Sequence, residues 1–468
     1  MMKFSWALIC TVFLMISCGS KEKSNNENMT FTGEEGEVKL IVFAPGHFHA
    51  SLLQKERLPQ VNDSVFVYAP DGPETDQYLK NIDQYNSRKE NPTSWNVNLY
   101  QEDDFWDRML SEKRGNVVVL SGKNQDKTAY ILGSVKNGLN VLCDKPMAIN
   151  QSDFILLEQA YSYAEANDVI LYDMMTERYE LLNLIEKELI NNSNLFGFLD
   201  EGTTEDPAIV MNSGHHFYKD VSGVPTIRPA WYYDVEQQGE GIVDVTTHLI
   251  DQVHWKCFPD MVINYQNDIT LTDAERWPTE ISLEQFSKST GEISFPDYLS
   301  KYIIEDTLLV YANGIIRYKV KNANVELRVN WDFYGPNHGA DTYSSIVRGT
   351  KASTIMLQGE EQNFTRQLYI RKGDNINKNE FIGNLQKAVS DLQVKYPFVS
   401  YSQTEDDASL YLIDIPTENR TGHESHFKNL AESYFGFLVN RNLPEWEVPN
   451  TITKYYITTK ALEIAQSK

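Results

Sequence analysis

Between Gly239 and Asp251 the chain reads Gly-Glu-Gly-Ile-Val-Asp-Val-Thr-Thr-His-Leu-Ile-Asp, and as a helix this run sets Asp244, His248 and Asp251 along one stripe. Ile242, Val245, Leu249, Ile250 and Val253 fill the opposite arc. A carboxylate and an imidazole on one face can pass a proton to or from a bound molecule, and the competing reading is a solvated polar stripe. A second group of reactive side chains stands in Ala44-Pro45-Gly46-His47-Phe48-His49-Ala50. Set against the dinucleotide fingerprint G-x-G-x-x-G, this loop keeps Gly46 and puts Ala44 and His49 at the outer glycine positions. A strand-turn-helix junction of this kind points backbone N–H groups and a helix N-terminus at a phosphate. His47 and His49 could instead bind a metal, but no Cys or acidic third ligand stands near them in sequence, so no metal is expected.

Short apolar strands and helices carry both groups. Val38 to Ala44 is a nearly continuous apolar strand, with helical residues after the loop to about Arg57. Val65 to Ala69, Val117 to Leu120, Val141 to Cys143 and Val169 to Tyr172 are further short strands, with helices from Lys127 to Asn137 and from Ser152 to Ala166. Alternation of this kind predicts an α/β, Rossmann-like, doubly wound parallel sheet whose ligand crevice lies at the carboxyl ends of the strands. From about Asp173 the pattern changes to a helix, Leu181 to Asn191, and alternating segments such as Ile315 to Val320, Val325 to Trp331, Ser345 to Lys351 and Gln367 to Arg371. These predict an α+β domain with a large open, mainly antiparallel sheet, closed by helices over Phe427 to Asn440 and Ile452 to Ala465. The expected division is 1–17 signal peptide, 18–37 tether, 38–172 dinucleotide-binding domain and 173–468 second domain, whose terminal helix packs back.

The first residues are Lys3, the apolar run Trp6 to Ile16, and Ser17-Cys18-Gly19. So short a run is an export signal, not a membrane span. Leu14-Met15-Ile16-Ser17-Cys18 resembles the lipobox of bacterial lipoproteins, which implies cleavage before Cys18 and its lipidation. Ser20 to Gly36 is polar and reads as a flexible spacer, so the folded part is expected at the cell envelope, periplasmic or on the outer membrane. With 66 acidic and 42 basic residues the net charge is −24, which argues against nucleic acid as a partner. Cys143 and Cys257 sit among apolar residues and read as free buried thiols. The 26 Tyr and 8 Trp suit a sugar-stacking cleft, and also a large core.

The segment Gly138-Leu139-Asn140-Val141-Leu142-Cys143-Asp144-Lys145-Pro146 resembles the glucose-fructose oxidoreductase, inositol dehydrogenase and MocA (Gfo/Idh/MocA) family, whose motif here is usually Glu-Lys-Pro. The helix beginning at Gly239 resembles the family's G-G-x-x-x-D-x-x-x-H motif, with Gly239 kept and Glu240 in place of the second glycine. The resemblance extends over about Val38 to Lys468 and includes the turn Arg348 to Lys351. It implies that Lys145 orients substrate, that Asp244 and His248 face the reacting carbon, and that His248 is the general acid or base. Cofactor contacts are then expected from Gly46, His47, Phe48, His49, Asp71, Asn124, Lys145 and Pro146. Lys127 stands where the family usually has a histidine, and Pro70 where the ribose-binding acid is often found. Ser213 to Tyr233 resembles a lipoprotein branch of the family, which implies a sugar pocket lined by His216, Lys219, Arg228, Trp231 and Tyr232.

The resulting expectation is an envelope-anchored oxidoreductase using NAD, or else NADP, on a secondary hydroxyl of a sugar, cyclitol or glycoside. The cofactor is expected to be tightly bound, because free NAD is scarce outside the cytoplasm. Two alternatives are an NAD-dependent glycosidase of the same family, with no net redox change, and a non-catalytic sugar-binding lipoprotein. A homo-oligomer formed through the second domain's sheet is also expected from the resemblance.

Overall fold

In the computed structural model the described residues are 30–221 and 224–468; the expected signal, Cys18 and the start of the tether lie outside them. Six strands form the first sheet: β1 (Leu40–Phe43), β2 (Ser64–Tyr68), β3 (Asn96–Tyr100), β4 (Val117–Leu120), β5 (Asn140–Cys143) and β6 (Leu171–Asp173). Their order is β3-β2-β1-β4-β5-β6, every pairing is parallel, and the order reverses between β1 and β4. All four residues of β1, of β4 and of β5 are buried, as a parallel sheet covered on both faces requires.

Side-chain alternation divides that core in two. Ile41, Phe43, Val118, Leu120 and Val141 meet the helices Lys127–Lys136 and Gln151–Ala166 on one face. Leu40, Val42, Val67, Val119 and Leu142 meet Tyr78 and Ile82 of the helix Pro73–Ser87 on the other. There the helix after β1 spans only His49–Leu52, not the stretch to Arg57 that the sequence suggests. The chain turns away because Gln54 is drawn inward, its side chain accepting from the Tyr78 hydroxyl and its carbonyl from Trp95 Nε1. The uncovered part of the sheet is filled from the far end of the chain by Phe427, Leu430, Ala431, Tyr434 and Leu438 of the helix His423–Asn440.

The second sheet comprises β7 (Ile209–His216), β10 (Ile269–Ser282), β11 (Ile303–Ile304), β12 (Thr307–Val320), β13 (Ala323–Asp332), β14 (Thr342–Arg348), β15 (Ala352–Gln358), β16 (Gln367–Lys372), β17 (Ser400–Gln403) and β18 (Leu410–Asp414). The order runs β10-β12-β13-β7-β14-β15-β16-β18-β17, with β11 beside β12, and only β7 and β13 are parallel. A small ribbon, β8 (Asp220–Val221) with β9 (Val224–Pro225), stands apart. The last helix, Glu447–Gln466, sends Ile457, Ala461, Leu462 and Ala465 into the core under this sheet and Tyr455 into the core of the first. Among the described residues no helix is long and apolar enough to cross a membrane. Cys143 and Cys257 are free thiols, the first buried and the second partly so.

Candidate active site

At the carboxyl ends of β1, β2 and β4 lies a cavity of about 300 Å³, lined among others by Pro45, Gly46, Asp71, Glu74, Gly122 and Lys123. Two loops meet closely over it. A Cβ on Gly122 would overlap the Ala44 carbonyl oxygen, and one on Gly46 would stand 3.2 Å from Gly122 Cα. Ala44 itself adopts the left-handed conformation, φ +42°, at the position where the fingerprint has its first glycine. The loop does not present its N–H groups to a phosphate in the expected way. Gly46 N and His47 N both donate to the Ser121 carbonyl, at 2.9 and 3.1 Å, and the helix that follows is a single turn.

Asp144 and Lys145 follow β5, and the Lys145–Pro146 peptide bond is cis. Lys145 Nζ donates to Asp244 Oδ1 at 2.7 Å, and Gln238 Nε2 donates to Asp244 Oδ2 at 3.2 Å. Burial works against the Asp244 charge, but the Lys145 ammonium together with the Gln238 hydrogen bond and His248 holds the carboxyl below its ordinary range. The run from Gly239 is not one helix: it divides at Val245 into Gly241–Asp244 and Thr246–Cys257. The hydroxyls of Thr246 and Thr247 turn back onto the carbonyls of Ile242 and Val243, which favours a bend at that point. His248 is partly buried, and its Nδ1 has no partner among the described residues. Burial and the nearby Lys145 charge push its pKa down to about 3, so the imidazole is neutral near pH 7. Asp251 does not join this stripe. It accepts from Arg178 Nε and Nη2, at 2.7 and 2.6 Å, in the buried interior.

Asn124, expected at the cofactor, instead ties the β4 loop to the segment before the site helix: its Nδ2 donates to the Gln238 carbonyl at 2.6 Å and its N to the Gln237 carbonyl at 2.9 Å. Asp71 lines the cavity wall. Trp231, expected in the sugar pocket, stands over the cofactor loop, with Nε1 donating to Glu74 Oε1 at 2.7 Å and its ring close to Gly46. Lys127, the residue in place of the usual histidine, is buried and donates to Asp144 Oδ1 at 2.6 Å and to the Asp144 carbonyl at 3.1 Å. On the other oxygen of Asp144 stand His49 Nδ1 at 3.1 Å and His47 Nδ1 at 3.6 Å. Phe48 between them is exposed.

A second cavity, of about 510 Å³, opens on the second sheet between Asn212, His215, His216, Asp332, Tyr343 and Gln358. His216 lines it, while Lys219 Nζ bonds Asp341 Oδ2 at 2.7 Å. Arg228 donates to the carbonyls of Phe217 and His216 and lies 4.5 Å from the Tyr232 ring centre. Burial raises the Tyr232 hydroxyl's pKa well above its ordinary value, with the charges of Arg228, Asp244 and Asp341 all acting on it. His215, Asp341 and Tyr343 were not legible in the sequence, because the pairing of β7 with β14 brings them together, and Gln238 was not because its relevance comes from its bond to Asp244.

A Rossmann-ordered sheet with a lysine, an aspartate and a histidine at its rim, next to an open ten-stranded sheet, defines an oxidoreductase of the Gfo/Idh/MocA type. Residues 185–466 match the family model described as "Putative oxidoreductase C terminal domain", and the chain belongs to that family. A solved structure described as a "putative oxidoreductase", from Parabacteroides merdae, is 44% identical, with 94% of this chain and 99% of that one covered and a TM-score of 0.91. Levoglucosan dehydrogenase in complex with NADH and levoglucosan shares the fold at 10% identity, TM-score 0.57, covering 92% of this chain and 97% of its own. Biliverdin reductase from Synechocystis, in complex with biliverdin and NADP+, does so at 9% identity, TM-score 0.54, with 92% and 99% covered. No curated protein matches the chain.

Proposed function

We propose that this protein oxidises a secondary hydroxyl of a sugar, cyclitol or glycoside with NAD or NADP, and works at the cell envelope through a lipid on Cys18. The observation that carries the reading is the Lys145–Asp244 pair after β5, with a neutral His248 close enough to feel the Lys145 charge. The cavity at β1, β2 and β4 suits the adenosine half of a dinucleotide in size and placement, with Asp71 available to the ribose and Lys123 to phosphate. A solved relative in fold binds NADH with a sugar, which favours the same class of ligand here.

A bound nicotinamide supplies the hydride acceptor. Lys145, held by Asp244, donates a hydrogen bond to the reacting oxygen and stabilises negative charge there. His248 accepts the hydroxyl proton on its imidazole ring. Its weak basicity is sufficient, because an alcohol losing hydride becomes strongly acidic as the carbonyl forms. The lining of the second cavity, with His216, Tyr343 and Gln358, offers hydrogen-bonding groups and an aromatic ring to a polyhydroxylated molecule. Anchoring rests on the Leu14 to Cys18 motif, and self-association on the open second sheet, whose edge strand β10 keeps most of its side chains partly exposed.

The test is a panel of sugars and chromogenic glycosides incubated with NAD+ or NADP+. Formation of reduced nicotinamide, lowered about 10²–10⁴-fold in kcat/KM by His248→Ala, is expected. Aglycone release without net reduction would transfer the reading to a glycosidase. Sugar binding with no dinucleotide binding would transfer it to a binding protein.

A further inference from the structure

The two histidines of the loop after β1 have an acidic partner that sequence spacing hides. Asp144 lies 95 residues beyond His49, yet its Oδ2 stands 3.1 Å from His49 Nδ1 and 3.6 Å from His47 Nδ1. One ligand atom from each of the three residues lies within 4.8 Å of the other two. Bonds of about 2.0–2.1 Å at tetrahedral or octahedral angles separate neighbouring ligand atoms by roughly 3.0–3.5 Å, close to the spacing of Asp144 from each histidine. The geometry points to a divalent transition-metal site formed by His47, His49 and Asp144.

The surroundings are those of a built site. Asp144 is anchored through its other oxygen by the buried Lys127, as a metal-ligating carboxylate is commonly held by an outer partner. Lys145 is paired with Asp244, and Asp144 offers the cation the oxygen that Lys127 does not take. Side-chain exposure falls from 32% at His47 to 12% at His49 and 5% at Asp144, which gives an ion a path from solvent to a sheltered carboxylate. Two imidazoles and one carboxylate select zinc, cobalt, nickel or ferrous iron over the oxygen-seeking magnesium and calcium. This site stands on its own geometry and does not depend on the proposed redox reaction.

Cobalt titration of the chelator-treated protein, without any dinucleotide, tests it. One Co2+ per chain is expected, with visible ligand-field bands that Zn2+ removes and Mg2+ does not. His47→Ala and His49→Ala should each weaken binding more than about 100-fold, beyond the 10–100-fold cost of losing an outer-shell partner. His47 is the most exposed of the three, so His47→Ala should melt like the parent protein and keeps the test valid if His49→Ala does not fold. Unchanged cobalt binding in His47→Ala, or no bound ion at millimolar Co2+, would overturn the proposal. The titration contains no dinucleotide, so failure here and failure of the oxidoreductase reading are separable.

Discussion

His248 sets the pH behaviour of the site. An ordinary histidine is half protonated near pH 6.5, and a base with that pKa loses activity as pH falls through it. With its pKa pushed down to about 3, His248 is already in the basic form throughout the neutral and mildly acidic range. The expected kcat/KM profile therefore stays flat through about pH 6.5 on the acid side, with no limb from this residue until pH approaches 3. A clear acid limb near 6.5 that disappears in His248→Gln would contradict the assignment. Lys145 and Asp244 act as a pair, so Asp244→Asn should lower kcat more than it raises KM, because it releases the ammonium that faces the reacting oxygen.

The elements around the site depend on close backbone approach. A Cβ on Gly241 would overlap the carbonyl oxygen of Ala312 in β12, so Gly241→Ala must push the helix Gly241–Asp244 off the sheet. Overpacking of this kind costs about 1–3 kcal/mol. A shift of about 1 Å at Asp244 can lower kcat roughly 10²-fold. Thermal unfolding and kcat measured together check both. The motif resemblance drew attention to Gly239 and Glu240, but the position that cannot carry a side chain against β12 is Gly241. The strands β1, β4 and β5, apolar but for Asn140, were legible because both faces are buried, whereas the edge strand β3, Asn-Val-Asn-Leu-Tyr, is half exposed and carries no such signal. The contact of His49 with Asp144 was illegible for a different reason: it joins loops after strands separated by β4. Asp251 reads as a member of the reactive stripe because helical periodicity reports direction, not what lies there.

The whole molecule is tied together beneath the site by buried charges. Arg178, after β6, grips Asp251 of the site helix and Glu447 of the last helix, each through two hydrogen bonds. Lys454 of that last helix bridges Asp251 and Asp173 at 3.0 and 2.9 Å, and the Tyr455 hydroxyl donates to Asp173 at 2.8 Å. The first sheet, the site helix and the C-terminal helix thus share one network. Arg178→Leu leaves Glu447 buried without its partner and Asp251 with Lys454 alone, and should cost about 3–5 kcal/mol in chemical denaturation. A loss below about 1 kcal/mol would show that the network does not hold the two sheets together.

The proposed reaction requires a nicotinamide dinucleotide in the crevice at the carboxyl ends of β1, β2 and β4. The direct measurement is to denature the purified protein, identify any released nucleotide by mass spectrometry, and titrate the emptied protein with NADH and NADPH. Near-stoichiometric release, or saturable binding that Gly122→Val abolishes, is the predicted result, because that side chain would overlap the Ala44 carbonyl and force the two loops apart. No released dinucleotide and no binding of either form would contradict it.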